Sequence, residues 1–425
     1  AFFFTFLRLH EVKVTEKRVF HIAGFIVVAL GCGLFTNQII LSDFMEEHQI
    51  NIRMFRPMES YQKYGGVLTF ARSVGYAVVK KPEGYSTAKV DQIIQEYEKK
   101  SANEQQSTAK QYPNIITVVN ETFADIKVLG DFKTNEDYMP YFHSLKKNCV
   151  TGYTYASIVG GQTANTEFEL LTGNTLGFLS AGTTAFQLYI HGQMPSLVSN
   201  LKAEGYSGNK AMHPFNPYNY NRPAVYKDFG FTDFIDKFDF PKNVKRVREY
   251  ISDEANVDRI ISEYEKNRKK TDQPFYMYNM TIQNNSPYEY DKDAANFKQP
   301  IKIESSKYDA EANRYLNLIK YSDDSLKQLT SYFEKCKEPT IILFLGDHQP
   351  RLTDEFMNKI TNGQYQTWSS EQMMKRYQVP FVIWANYDIK EQHIEKTSMN
   401  YIQSILTQTA GVKMTGYQRF LNEVR

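Results

Sequence analysis

Cysteine is scarce in this chain, with Cys32, Cys149 and Cys336 the only 3 in 425 residues. Their positions match no metal-ligand spacing, and Cys32 falls in an apolar run, so unpaired thiols are expected rather than a disulfide framework or a cysteine-held zinc. Charge of one sign is also lacking, at 50 Lys and Arg against 48 Asp and Glu. Without a basic surplus, nucleic acid is not an expected partner. What the chain does have is apolar material, 42% hydrophobic and 14% aromatic, ample for a large core at a length that holds two or three domains.

The most informative stretch is Gly160-Gly161-Gln162-Thr163-Ala164-Asn165-Thr166-Glu167-Phe168. A strand over 153–159 is expected to end at the two glycines, which free the backbone for a tight turn. A helix then begins at Thr163, with Phe168, Leu170 and Leu171 as its buried face and Gly173 as its stop. A hydroxyl beside the unpaired N–H groups of a helix start suits an anionic group such as phosphate, although the same Thr163 would also serve as a simple cap.

Three apolar runs end abruptly in polar side chains. Residues 114–119 lead into Asn120-Glu121, 340–345 pass through Gly346 into Asp347-His348, and 275–282 lead into Gln283-Asn284-Asn285. Runs of this kind, separated by helical segments, read as central strands of a largely parallel sheet in an α/β fold. Ligands of such sheets gather at the carboxyl ends of the strands. Glu121, Thr163, Asp347 and His348 are therefore expected to converge. Three oxygen donors and one nitrogen suit a divalent cation, with Mn²⁺ or Mg²⁺ ahead of Zn²⁺.

With these residues in place the sequence resembles the lipoteichoic acid synthase family of membrane-anchored phosphoglycerol transferases, a branch of the sulfatase and alkaline-phosphatase superfamily. The resemblance rests on the segment from Gly161 to Phe168 and on Leu345-Gly346-Asp347-His348, and it covers the chain from about Pro113 onward. It implies a sulfatase-like α/β fold with a largely parallel sheet flanked by helices. It also implies a nucleophilic Thr163 and a Mn²⁺ site, with Mg²⁺ as the alternative, formed by Glu121, Thr163, Asp347 and His348. The donor implied is phosphatidylglycerol, and the acceptor a glycolipid, lipoteichoic acid or cell-surface polysaccharide of a Gram-positive envelope. The stretch from His213 through Tyr220 to Arg222 is similar to the family's head-group-binding stretch, with Tyr220 where a Trp is common. At Asn284-Asn285 family members usually carry Asn-His, the His facing the substrate phosphate. Asn285 donates a hydrogen bond there but carries no proton or charge.

Upstream, residues 1–9 read as the tail of an earlier membrane helix, followed by a basic loop with Arg8, Lys13, Lys17 and Arg18. Residues 19–41 are long and apolar enough to cross a bilayer. The positive-inside rule puts the basic loop in the cytoplasm and everything after Leu41 outside the cell. Residues 42–111 are expected to form a juxtamembrane helical linker, with helical periodicity over 58–79, a second helix starting at Ser86 or Thr87, and a solvated connection over 99–110. The catalytic domain is expected over 112–425. Two other functions stay open at this point: a phosphodiesterase of the same superfamily, in which water replaces the acceptor, and a non-catalytic glycan- or head-group-binding protein. A sulfatase activity is disfavoured because the segment around Thr163 lacks a Cys or Ser nucleophile followed by Pro and Arg.

Overall fold

A computed structural model of the chain describes residues 18–42, 44–48, 50, 52, 57–102, 112–288, 296–304, 310–363 and 365–425. The expected early helix tail and most of the basic loop lie outside the described residues, as does the connection over 103–110. The chain divides into two compact units, Ala1–Lys80 with Leu179–Thr183, and Lys81–Phe178 with Thr184–Arg425.

The first unit is dominated by α1 (Arg18–Phe35), which continues as a wider π-helical turn over Thr36–Leu41. Within the 22 residues Phe20–Leu41 an 18-residue window reaches a mean hydropathy of 1.9, and none of it is buried within the protein. At 1.5 Å per residue that is about 33 Å, enough for a bilayer core. The helical periodicity expected over 58–79 appears as two helices, Pro57–Tyr64 and Gly66–Tyr76. They are split at Gly65, whose φ of 79° belongs to the left-handed region.

The second unit starts with α2 (Thr87–Ala102). Ser86 caps it, its Oγ accepting from the Lys89 N–H at 3.2 Å. This helix, read from sequence as part of the linker, packs here on the last helix of the chain, α7 (Gly416–Val424). Their contact includes Lys100 Nζ donating to Glu423 Oε2 at 3.2 Å, and Ser101 Oγ donates to the Met414 carbonyl just ahead of α7 at 2.6 Å. The helical start of 99–110, through Ala102, replaces the solvated coil expected there.

The sheet is built from β1 (Asn114–Asn120), β2 (Cys149–Tyr155), β3 (Ser207–His213), β4 (Asp233–Asp236), β7 (Phe275–Met280), β8 (Thr340–Gly346), β9 (Gln378–Ala385) and β10 (Gln392–Ser398), with β5 (Arg246–Val247) and β6 (Tyr250–Ile251) forming a separate hairpin. The strand order is β10-β2-β9-β8-β1-β7-β3-β4. Only β9 runs against its neighbours, β2 and β8, among the described residues. Every residue of β1, β7 and β8 is buried, as continuous apolar runs demand when helices cover both faces. The flanking helices include α3 (Thr163–Thr172), α4 (Asp253–Arg268), α5 (Ala310–Phe333) and α6 (Ile402–Thr409). This is the α/β architecture read from the sequence. One strand differs: β2 stops at Tyr155, and the rest of 153–159 contributes only an isolated bridge from Val159 to Gln349. The three cysteines are unpaired.

Candidate active site

The register of β1 on β8 pairs Asn120 with Gly346. The next residue of each strand is then a carboxylate, so Glu121 and Asp347 emerge side by side. The approach is close because position 346 has no side chain: a Cβ there would lie 1.8 Å from the Phe123 carbonyl oxygen. Ligand atoms of Glu121, Asp347 and His348 all fall within 4.8 Å of one another, and all three residues are buried. Thr163 joins them, its Oγ1 donating to Glu121 Oε2 at 3.4 Å. Strand-end reasoning placed these four together, and the structure brings them together.

Thr163 is held by an unusual approach to α3. Gly160, Gly161 and Gln162 all have positive φ, at 68°, 142° and 65°. The N-cap position belongs to Gln162, which makes no side-chain cap bond, so Thr163 is the first helical residue and not the cap. All ten residues of α3 are buried, and Thr166 Oγ1 ties the helix to the Asp347 carbonyl at 2.7 Å. Gly173, at φ 76°, ends the helix as expected.

The carboxylates are oriented by Thr122, which sequence reasoning passed over. Its hydroxyl donates to Glu121 Oε1 at 2.8 Å and its N–H to Asp347 Oδ1 at 2.6 Å. The His348 N–H also donates to Asp347 Oδ1, at 2.9 Å. His348 Nδ1 faces the Gln349 carbonyl at 3.1 Å; a carbonyl only accepts, so Nδ1 carries the proton and Nε2 presents a lone pair. His348 Nε2 and Asp347 Oδ2 are buried without a hydrogen bond and face each other at 3.2 Å, with Glu121 Oε1 3.7 Å from the same Nε2, so with Nδ1 protonated three acceptors converge. Orphaned buried acceptors of this kind are costly unless something else satisfies them. A divalent cation fits that need, with a second layer of bonds already fixing its ligands. Burial first, then the adjacent Asp347 carboxylate, pushes the Glu121 carboxyl well above its usual range. Bringing these groups together without a cation is electrostatically unfavourable.

Arg222 and His213 are likewise buried. Arg222 is committed to Glu167 Oε1, through Nε at 3.1 Å and Nη2 at 2.7 Å, while its Nη1 lies 3.5 Å from the Asn219 carbonyl. Glu167 also accepts from the hydroxyls of Tyr226 and Tyr278. Sequence reasoning missed Glu167 as a site residue, although an acidic side chain in a helix of this apolar character signals a buried partner. His213 Nδ1 donates to the Met280 carbonyl at 3.0 Å. Burial, then the Arg222 charge, holds the His213 imidazole well below its usual pKa. Neutral, with Nδ1 protonated, His213 offers Nε2 as an acceptor. Tyr220 stands at φ 60° beneath the Arg222 guanidinium, 5.1 Å from ring centroid to charge. Burial drives its hydroxyl pKa up against the pull of Arg222, with Glu121, Glu167 and Asp347 adding to the rise.

Asn284 and Asn285 part company. The Asn284 amide donates to Asn120 Oδ1 at 3.2 Å and Ser322 Oγ at 2.8 Å. Asn120 and Ser322 in turn both donate to Asp253 Oδ2 at 2.7 Å. Asn285 is half-buried and its amide donates to the Tyr250 hydroxyl at 3.2 Å. Its loop is pinned by Arg248, whose guanidinium donates to the carbonyls of Gln283, Asn285 and Pro287 at 2.9, 2.8 and 2.9 Å.

A protein of Rhizobium meliloti named for cyclic β-1,2-glucan modification is 31% identical over 379 residues, covering 87% of this chain and 56% of that protein. The lipoteichoic acid synthase of Staphylococcus saprophyticus is 23% identical over 81% of this chain and 53% of its own length. The chain thus spans about half the length of these curated relatives. In fold it is similar to the Streptococcus pyogenes phosphoglycerol transferase GacH, solved with sn-glycerol-1-phosphate, at 20% identity and TM-score 0.65 over 81% of this chain and 87% of that one. The lipoteichoic acid synthase LtaP of Listeria monocytogenes aligns at 21% identity and TM-score 0.58 over 76% of this chain and 80% of its own. The Sulfatase family profile matches residues 113–412, and this chain belongs to the sulfatase family.

Proposed function

We propose that the chain is a membrane-anchored phosphoglycerol transferase that moves glycerol phosphate from phosphatidylglycerol to a cell-surface glycan by way of Thr163. The observation that carries this reading is the meeting of Thr163 with Glu121, Asp347 and His348, two of whose buried atoms are orphaned. The names of the relatives support donor and acceptor classes: lipoteichoic acid synthases and a glycerol-phosphate-bound transferase for the donor, glucan and capsular polysaccharide proteins for the acceptor. Glu121, Thr163, Asp347 and His348 would hold Mn²⁺, or Mg²⁺ in its place. Such a cation supplies Lewis acidity toward the Thr163 hydroxyl and the phosphoryl oxygens.

The chain's own residues do the rest. Thr163 Oγ1 gives up its proton, with Glu121 Oε2 in place to receive it, and attacks the phosphorus of the donor. The phosphorus–oxygen bond to diacylglycerol breaks, and that oxygen takes up a proton. Glycerol phosphate is left on Thr163. A glycan hydroxyl then attacks the same phosphorus and loses its proton, the bond to Thr163 breaks, and Oγ1 is reprotonated. Arg222, steadied by Glu167, contributes positive charge to the phosphoryl oxygens. His213 Nε2 accepts from a glycerol hydroxyl. Tyr220 lines the head group and Asn285 donates a hydrogen bond near it. The apolar helix Phe20–Leu41 anchors the protein, with the catalytic residues 112–425 on the outer side of the membrane.

The test is the full chain in detergent with phosphatidylglycerol labelled in its head group. Diacylglycerol release and a phosphoglycerol adduct on Thr163 are expected before acceptor is added. Thr163→Ala should lower release by roughly 10³-fold or more. An adduct on any other residue, or full turnover by the Thr163→Ala protein, refutes the assignment.

A further inference from the structure

Beside the active site lies a second cleft that the reaction above does not use, with a volume of about 640 Å³. That size falls within the range of ~300–1,000 Å³ typical of small-ligand sites. It begins where β3 ends, since Pro214 and Phe215 directly follow His213. The rings form a continuous path away from the catalytic residues: His213 to Phe215 at 6.1 Å, then Phe215 to Tyr250 at 6.0 Å. Tyr250 touches the Asn285 amide from the other side. Phe238, 73% exposed, and Phe240 complete the aromatic lining.

Beside Pro214, Pro241 and Ile251, the lining is cationic. Lys237, Lys242 and Arg246 face a single carboxylate, Glu249. None of the three makes an ion pair among the described residues: Arg246 Nη1 donates to the Glu249 carbonyl at 2.8 Å, leaving the rest of its guanidinium free of an acid, and Lys237 lies over the Phe215 and Phe238 rings at 5.8 and 5.0 Å. Exposed aromatic faces carry negative quadrupole charge, which suits the apolar C–H face of a sugar ring. A neutral sugar, however, leaves three positive charges unanswered, whereas a simple polyanion leaves the rings unused. One ligand class answers both: a saccharide carrying anionic substituents.

We propose that this cleft is the acceptor subsite and that it takes an anionic saccharide, one ring on the exposed face of Phe238 beside Phe215 and its charged groups on Lys237, Lys242 and Arg246. The proposal rests on the phosphotransfer reading for its role, since the cleft's Pro214 and Phe215 directly follow His213 and its Tyr250 bonds to Asn285. Arg246 presents a planar fork suited to phosphate or carboxylate oxygens.

Binding to the full chain in detergent tests this with no donor present. The probes are a neutral β-glucan hexasaccharide, the same hexasaccharide carrying phosphate monoesters, and the same carrying carboxymethyl groups. At least one charged probe is expected to bind about tenfold or more tighter than the neutral one, and the tighter of the two identifies the substituent. Phe238→Ala and Lys242→Glu should each weaken that probe by about tenfold; both side chains are exposed, so an unchanged melting temperature certifies the fold. Equal affinity for neutral and charged probes, or undiminished binding by both variants, overturns the proposal. Failure of the phosphotransfer reading shows separately, as absence of diacylglycerol release from the wild-type protein.

Discussion

Arg222 and Glu167 form an ion pair at 2.7 Å in which both side chains are almost wholly removed from solvent, at 2% and 0% exposure. Because Glu167 lies four residues after Thr163 on one buried helix, the pair locks the cation to the nucleophile's own scaffold. Removing one partner strands a buried charge, which typically costs ~3–5 kcal/mol. Glu167→Gln is therefore expected to lower the unfolding free energy by roughly that amount and to slow donor cleavage by displacing Arg222. Chemical denaturation checks the first part. A variant as stable as wild type would show that the pair is not what holds Arg222.

The metal reading makes a joint forecast. Asp347→Asn removes a carboxylate charge while keeping its shape, and is expected to abolish cation binding and diacylglycerol release together. Chelation should silence the wild-type protein, and Mn²⁺ should restore it better than Ca²⁺, which favours more oxygen ligands at longer distances. Direct metal analysis beside turnover checks this; full activity in the chelated protein excludes it.

A pH dependence of stability is expected at His143, away from the metal ligands. Asp125, with its carboxylate at 3.7 Å, and Asp137, at 2.8 Å, raise the imidazole pKa to about 9. A raised pKa means that the folded state holds the proton more tightly than the unfolded one, whose value is about 6.5. The stabilisation is complete below that value and is lost as pH rises through about 9. Because the partners are partly exposed, solvent screening reduces it to roughly 1 kcal/mol. Melting curves from pH 6 to 10 for wild type and His143→Gln should converge at the alkaline end. A constant gap between them across the series rules this out.

Asn285→His places an imidazole where the family resemblance of the sequence implies one. General acid–base assistance is typically worth ~10²–10⁴-fold, and the variant is expected to raise the rate of donor cleavage toward the lower end of that range. A new pH dependence near an imidazole pKa should accompany it, with donor affinity changed much less. Single-turnover rates across pH decide. If rate and profile stay as in wild type, Asn285 is not a vacant catalytic position, and its bond to Tyr250 is its role.

The strand ends were legible in the sequence because an apolar run that stops dead at Glu121 or at Asp347 leaves little choice of address. Thr163 was legible for a similar reason, as the first residue after backbone that only glycine tolerates easily. The reversed direction of β9 was not, since the local pattern of a fully buried strand is the same whichever way its neighbours run. Nor could spacing reveal that Arg222 is already engaged by Glu167, 55 residues earlier. The sequence showed which side chains were chemically able to meet phosphate. It did not show which of their atoms were already taken, and His213, bound through Nδ1, is the plainest case.

Gly346 contributes no ligand and no charge, yet the strand carrying Asp347 can approach Phe123 only because that position is bare. The gap between the two acid-bearing segments is thus gauged by backbone alone. Substituting Glu121 or Asp347 changes what a bound ion is offered. Adding a single methyl group at 346 would drive the two segments apart, so the spacing of the acid pair is vested in a residue with no chemistry of its own.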